Sequence, residues 1–256
     1  MRLKDRVAIV TGGAQGIGRE YCLSFAQGGA KVFVADVRVE QAKAVEAEIA
    51  ERGGEALTIE TNVAEEASVE NMARRAYERF SRIDILVNNA AIYYNLDRGN
   101  ESVDYLRQVL DVNVIGILIT SRAVFPYMKD QGGGSIINIA SIAAYSLPGI
   151  HPATNFSANA YGLSKSGVVF LTKSMTKQGG GHGIRVNAIA PGVTMSEATR
   201  KVVPEAFIGN LASSSAIGRP LQPPELTGTA VFLASDDSAL MTGQILVVDG
   251  GVIMNG

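Results

Sequence analysis

The chain has no tryptophan, one cysteine and two histidines in 256 residues. A single thiol, Cys22, excludes a disulfide framework and a multi-cysteine zinc site, and is expected in the core. His151 and His182 leave little material for a metal centre, and no metal is expected. Charge is also scarce: Asp, Glu, Lys and Arg make up 19% of the residues, below the usual ~25%. There is no basic excess, with 23 Lys+Arg against 25 Asp+Glu and a formal net charge of −2. A nucleic-acid partner is therefore not expected. Met1 to Arg6 is charged and carries no apolar signal region. The longest stretch without acid or base, Gln131 to Ser164, is broken by Gly, Pro, Asn and Ser. It does not read as a lipid-exposed span of about 20 predominantly apolar residues. The expectation is a soluble, cytoplasmic protein with no membrane partner.

What the chain has is apolar material and glycine. The hydrophobic fraction is 46%, and 28 residues are glycine, about 11% against the usual ~7%. Seven short apolar runs recur: Val7–Val10, Val32–Ala35, Ala56–Ile59, Ile85–Val87, Ile136–Ile139, Val186–Ile189 and Ile245–Val248. Most lead into longer amphipathic segments: from Gly16, over Val39–Arg52, Glu65–Phe80, Val103–Met128 and Ala160–Lys177. Apolar runs alternating with helices predict a parallel sheet covered on both faces. We expect an α/β fold: one Rossmann-type domain over 1–256, with a doubly wound parallel sheet of about seven strands. In such sheets ligands bind at the carboxyl ends of the strands, near the switch point.

After the first run comes Thr11-Gly12-Gly13-Ala14-Gln15-Gly16-Ile17-Gly18. A glycine-rich turn lets backbone amides approach a phosphate, and the helix that follows adds its N-terminal donors. The second run ends at Asp36. An acid there hydrogen-bonds the adenosine ribose 2′-hydroxyl and repels a 2′-phosphate, which predicts NAD rather than NADP. The neighbouring Arg38 blunts that preference, because an arginine can accept the phosphate. Asp36 could also cap the next helix.

With these motifs the chain resembles the short-chain dehydrogenase/reductase family along essentially its whole length. The resemblance rests on Thr11-Gly12-x-x-x-Gly16-x-Gly18, Asn88-Asn89-Ala90, Asn113, Ser141, Tyr161-x-x-x-Lys165, Pro191-Gly192 and Asp249-Gly250-Gly251. It implies nicotinamide-dependent interconversion of an alcohol and a carbonyl. It makes Tyr161 the general acid/base, Ser141 the hydroxyl that polarises the substrate oxygen, and Asn113 the residue that steadies a relay water. Lys165 would hold the nicotinamide ribose and favour the Tyr161 phenolate, since a free tyrosine, with pKa about 10, is a poor base near neutrality. Tyr161 and Lys165 are one helical turn apart, so they share a face.

The same resemblance adds Asn62-Val63 at the adenine, where Asp-Val is usual. It puts Asn89 and Ala90 beside the adenosine, with strand-end packing as the alternative. Ala91 stands where glycine is usual. Pro191 and Gly192 would border the cofactor, with Thr194 supplying backbone contacts to the carboxamide and Ser196 a hydroxyl. With Gln15, Gly16, Ile17 and Gly18 of the turn, these complete the expected cofactor site. The family also implies association into a homotetramer.

Ser141 and Tyr161 stand further apart than is usual in the family, which marks an inserted active-site loop at about 143–159. The alternative is a surface bulge or subunit contact. Tyr145 and His151 in this loop, Tyr93 after the fourth strand, and Phe207 in a lid over about 196–218 are expected substrate contacts. Tyr145 is a rival base, but position 149 is Gly rather than Lys. An apolar, tyrosine-bearing pocket predicts a hydrophobic or aromatic secondary alcohol or ketone, a pattern similar to bacterial 1-phenylethanol-type dehydrogenases. Within the family a 3-oxoacyl reductase or a sugar or polyol dehydrogenase competes. Outside that class stands a non-catalytic redox sensor that binds NAD, which should lack Tyr161 or Lys165. A lyase-like relative without NAD should lack the glycine turn and the lysine.

Overall fold

The computed structural model describes residues 1–93, 102–145, 156–202, 208–209 and 213–254, with only the backbone at 156–159 and at Val202. Seven strands form one parallel sheet: β1 Val7–Thr11, β2 Lys31–Asp36, β3 Glu55–Glu60, β4 Ile85–Asn88, β5 Gly134–Ile139, β6 Ile184–Pro191 and β7 Ile245–Val248. Their order is β3-β2-β1-β4-β5-β6-β7. The chain runs from β1 outward to β3, then returns to start β4 on the other side of β1. That reversal opens a crevice at the carboxyl ends of β1 and β4.

The strands read as continuous apolar runs because both faces are buried. In β1, Ala8 and Val10 enter one core while Val7 and Ile9 enter the other. In β2, Val32 and Val34 alternate in the same way with Phe33 and Ala35. This is the two-residue period of a pleated strand applied to two helical layers. One layer holds α1 Gly16–Gln27 and α2 Val39–Glu51, which contribute Tyr21, Cys22, Phe25, Val45 and Ile49. The other holds α3 Glu66–Phe80, a long broken helix and α6 Phe156–Gly180, which contribute Val69, Met72, Val124, Met128 and Val168.

The broken helix is expected over Val103–Met128 as one piece. It is instead α4 Val103–Leu110, a five-residue π-turn Asp111–Ile115, and α5 Gly116–Asp130. Gly116 N–H reaches back to the Asp111 carbonyl, the wider spacing of a π-turn. This widened turn buries Asn113 completely. The stretch Val103–Asp130 is long enough to cross a bilayer and contains an 18-residue window apolar enough by composition, with a mean hydropathy of 1.5. Its apolar residues Ile117, Val124 and Met128 lie instead in the core.

One helix falls outside the sequence expectation. Thr227–Ala234, labelled α8 here after α7 Glu197–Val202, carries no polar stripe. Its apolar residues therefore give no helical period. It packs Ala230, Leu233 and Ala234 against the α1 layer. Pro223-Pro224 and a reciprocal Gln222/Glu225 cap open the 3₁₀ turn that starts it.

Candidate functional site

The first strand turns into α1 through backbone that only glycine supplies. Gly12 and Gly16 have φ of +65° and +55°. A Cβ on Gly18 would sit 2.1 Å from the Gly12 carbonyl oxygen, so α1 could not close on the turn. Gln15, the residue before α1, makes no side-chain cap. Among the described residues the first amides of the helix have no side-chain partner, and Gly16, Ile17 and Gly18 line the crevice, which is the chemistry a phosphate needs. These features fit a dinucleotide pyrophosphate.

Thr11 and Asn89 brace the turn. Thr11 Oγ1 donates to the Val87 carbonyl at 3.2 Å and accepts from Asn89 N and Ala90 N at 3.1 and 3.2 Å. Asn89 Nδ2 donates to the Thr11 and Gly12 carbonyls, both at 3.0 Å. Asn88 is internal: its amide donates to Asn138 Oδ1 at 2.9 Å and accepts from Thr120 Oγ1 at 2.7 Å. The expected strand-end packing of this motif is thus present, and Asn89 and Ala90 also line the crevice.

Asp36 ends β2 almost fully buried, with its side chain 3% exposed. It does not cap α2, whose N-cap is Arg38 without a side-chain bond. Its carboxylate instead accepts Ala14 N–H at 3.0 Å and Arg38 N–H at 3.0 Å, so it ties β2 to the glycine turn. Arg38 also pairs with it through Nε at 3.2 Å and Nη2 at 3.3 Å. Asn62 sits nearby in a tight turn: its Oδ1 accepts Ala64 N–H at 3.1 Å and its Nδ2 donates to Glu65 at 2.7 Å.

Across the crevice, β5 delivers Ser141 and α6 delivers Tyr161 and Lys165. Ser141 opens a 3₁₀ turn, and its Oγ accepts Ala143 N–H at 3.1 Å. Among the described residues its own proton has no acceptor. Lys165 is 3% exposed and donates to the Ile139 carbonyl at 2.7 Å. Its Nζ lies 5.5 Å from the centroid of the Tyr161 ring. Burial lowers the lysine pKa to about 8, so the ammonium form still prevails at neutral pH. The Tyr93 ring meets that of Tyr161 edge-on, with centroids 5.1 Å apart and planes at 83°.

A family model described as enoyl-(acyl carrier protein) reductase matches residues 12–253. The chain is 41% identical over 253 residues to an uncharacterized oxidoreductase of Mycobacterium tuberculosis, covering 98% of each. It is 35% identical over 255 residues to a 3-oxoacyl-(acyl-carrier-protein) reductase of Thermotoga maritima, covering 99% of this chain and 100% of that one. The chain belongs to the short-chain dehydrogenase/reductase family. A solved 7α-hydroxysteroid dehydrogenase, complexed with NADH and 7-oxoglycochenodeoxycholic acid, matches with TM-score 0.91 at 32% identity, covering 99% and 96% of the two chains. As a member of this family the protein is an oxidoreductase, an enzyme of a family that uses nicotinamide nucleotides and acts on small molecules. The named activities of these relatives differ, so membership fixes the reaction class and leaves the substrate open.

Most of the expected site residues line one cavity of about 520 Å³. It is lined by Gly12, Gln15, Gly16, Ile17, Gly18, Asp36, Asn62, Val63, Asn89, Ala90, Tyr93, Ser141, Tyr161, Lys165, Pro191, Gly192, Thr194 and Ser196. Thr194 Oγ1 donates to the Gly192 carbonyl at 3.0 Å. Ser196 Oγ accepts Thr199 N–H at 3.2 Å, closing the first turn of α7.

Two expected residues fall elsewhere. Asn113 is not on the cavity wall; its side chain is engaged by Ile92 N–H at 2.8 Å, the Ile92 carbonyl at 2.9 Å and Ser164 Oγ at 3.0 Å. It therefore anchors the strand-end segment that carries Tyr93. Tyr145 packs against the α3/α6 core rather than the cavity, where burial pushes its phenol up, away from use as a base. His151 and Phe207, with Val203 and Leu211 of the expected lid, lie outside the described residues. His182 is exposed, with its ring edge-on to Phe125 at 5.8 Å.

Sequence reasoning missed the Ile139 carbonyl that holds Lys165, and Ser164 beside Asn113. The carbonyl has no sequence signal. Ser164 precedes Lys165, and the one-turn spacing back to Tyr161, whose carbonyl it bonds at 2.7 Å, was available.

Proposed function

We propose that this protein is an NAD-dependent dehydrogenase that interconverts a secondary alcohol and a ketone. The observation that carries the reading is the buried Lys165 ammonium beneath the Tyr161 ring, in the same cavity as the uncapped glycine turn. Bound in that cavity, the nicotinamide dinucleotide supplies the hydride acceptor in oxidation and the hydride donor in reduction.

The side chains do the rest. Ser141 donates its spare proton to the substrate oxygen and fixes it toward Tyr161. In oxidation Tyr161, as phenolate, takes the alcohol proton while the carbon-bound hydrogen leaves as hydride. In reduction its phenol returns that proton to the carbonyl oxygen. Lys165 stabilises the phenolate through its charge, and its bond to Ile139 keeps the charge in position. Asn113 acts on this site through Ile92 and Tyr93. Asp36 favours NAD by accepting from the adenosine ribose.

Ile92, Tyr93, Ile142, Ala143 and Val193 line the wall beside Ser141 and Tyr161. Their apolar character supports a hydrophobic or aromatic substrate of the 1-arylethanol/acetophenone type. We read the inserted loop at 143–159 as the border of that pocket and 196–218 as its lid. Ala143 on the wall and Ser196 closing α7 support these readings. The exposed apolar side chains Ile115, Leu118, Leu163 and Phe170 lie on α6 and on the helix beside it, and support assembly into a homotetramer. We place the protein in the cytoplasm.

A second reading is a 3-oxoacyl reductase, favoured by the Thermotoga relative and by Arg38 at the ribose position. One panel separates the two: reduced-nicotinamide formation with NAD and NADP on 1-arylethanols and polyols, and its consumption on acetoacetyl thioesters. Turnover of 1-arylethanols with NAD is expected. Turnover confined to thioesters with NADPH would replace our reading by the second.

A further inference from the structure

Tyr161 and Lys165 line the cavity from α6. Gly162 and Ser166 each stand one position further on, about 100° round the helix. Being one turn apart, they share a face of their own, and that face carries the turn of Ser141. Ser166 Oγ donates to the Ala144 carbonyl at 3.1 Å. A Cβ on Gly162 would stand 3.2 Å from the Ala143 carbonyl oxygen, tighter than ordinary van der Waals contact. The amides of the same two residues point the other way. Ala143 N–H is donated to Ser141 Oγ at 3.1 Å, and Ala144 N–H to the Ser141 carbonyl at 3.0 Å. The 3₁₀ turn Ile142–Ala144 is thus clasped between Ser141 and α6. Chain connectivity cannot do this work. At ~3.3–3.6 Å of reach per residue, the inserted loop between Ser141 and Tyr161 is too long to fix their separation.

We propose that Gly162 and Ser166 are positioning residues for Ser141: they set where its hydroxyl stands relative to Tyr161. The inference rests on the dehydrogenase reading above, in which Ser141 and Tyr161 must both reach one substrate oxygen at hydrogen-bond distance. Gly162 lets the turn close on the helix, and Ser166 holds it there. Gly162 directly follows Tyr161, and Ser166 directly follows Lys165. The helix that presents the pair therefore also carries the seat of their partner, so a shift of α6 moves all three together. A methyl group at 162 forces Ala143 to give by a few tenths of an ångström. The bond from Ala143 N–H passes that displacement to Ser141 Oγ. Loss of the Ser166 hydroxyl leaves the Ala144 carbonyl without its tie to the helix.

The test is a mutant cycle on the full-length protein: Gly162→Ala, Ser166→Ala and Ser166→Thr in the native chain, and Ser166→Ala again beside Ser141→Ala. Turnover is read on whichever member of the panel above the native protein accepts, dinucleotide binding by nicotinamide fluorescence, and folding by thermal melting. Gly162→Ala should lower kcat about tenfold and Ser166→Ala about three- to tenfold, less than the 10²-fold that a 1 Å misplacement can cost. Dinucleotide affinity should stay within about twofold, because the glycine turn lies across the crevice. Neither variant should melt lower, since Ser166 is exposed and alanine is the better helix former at 162. Ser166→Thr keeps the hydroxyl and should recover most of the lost rate. Beside Ser141→Ala, Ser166→Ala should cost less than about twofold, because nothing is left for it to position. A full, independent loss in that background would overturn the inference and leave the dehydrogenase reading intact. So would kcat unchanged in both single variants. A native protein that turns over no member of the panel would overturn that reading, and this inference with it.

Discussion

The two halves of the cavity are built differently. The half proposed for the dinucleotide is made of backbone: a glycine turn, the ends of β1, β2 and β4, and carbonyls stitched by Thr11 and Asn89. The half proposed for the substrate is made of side chains: Ser141 after β5, Tyr161 and Lys165 on α6, and Tyr93 after β4. A backbone site tolerates almost no change of shape, because every neighbour is fixed by the sheet. A side-chain site can change its chemistry without disturbing the fold, which is how one scaffold comes to serve relatives named for acyl thioesters and for steroids.

The contrast can be broken most severely at Gly18. A β-branched side chain there meets the Gly12 carbonyl, with Cβ at 2.1 Å. Gly18→Val should lose more than about 4 kcal/mol of stability, the exceptional range for a point change. Thermal unfolding of the variant would show it, and a melting temperature within a few degrees of the native chain would refute the packing argument. On the substrate side, Ser141→Ala removes the donor to the substrate oxygen. It should lower kcat by about 10²–10³-fold with NADH affinity unchanged, which steady-state kinetics and a binding titration check together.

Lys165 connects the halves, and its effect depends on pH. Its folded pKa, lowered by burial, is about 8 against 10.5 for the free side chain. Below pH 8 folded and unfolded chains both carry the proton, and the folded chain bears the full penalty of a buried charge. Between about 8 and 10.5 the unfolded chain holds a proton that the folded one has released, so stability contributed by this group rises with pH. Lys165→Met should therefore melt above the native protein at pH 7, and the gap should shrink as pH passes 8. Ketone reduction should decline above the same pH, since loss of the ammonium leaves the phenolate product of proton transfer unstabilised. Rates that stay flat from pH 7 to 10 would contradict this. The smallest effect is expected at Tyr93. Tyr93→Leu removes an edge-on contact to Tyr161 worth about 1 kcal/mol and should lower kcat roughly three- to tenfold with KM for NAD unchanged.

The halves also differed in how far the sequence exposed them. The strands were legible because two buried faces leave uninterrupted apolar runs, and the glycine turn because its residue types follow from backbone geometry. Helix α8 was not legible, since Thr227–Ala234 has no polar stripe to reveal a period. The break in the helix at Asp111–Ile115 was hidden for a different reason: one extra residue in a turn changes hydrogen bonding without changing composition. Ser141, Tyr161 and Lys165 could be named because the motifs around them resemble those of the family. That Asn113 bonds Ile92 and Ser164, and that Tyr145 turns to the core, depended on tertiary contacts no local pattern records. Asp36 was read as the ribose acceptor, but its saturation by Arg38 and Ala14 is a matter of distances.

The central claim is that one half of this cavity binds the dinucleotide while the other moves the proton. Tyr161→Phe tests it in a single preparation, by titrating NADH and assaying turnover of a 1-arylethanol with NAD on the same sample. The account predicts NADH affinity within about twofold of the native protein and turnover reduced by about 10³-fold or more. Turnover that survives the substitution undiminished would contradict it.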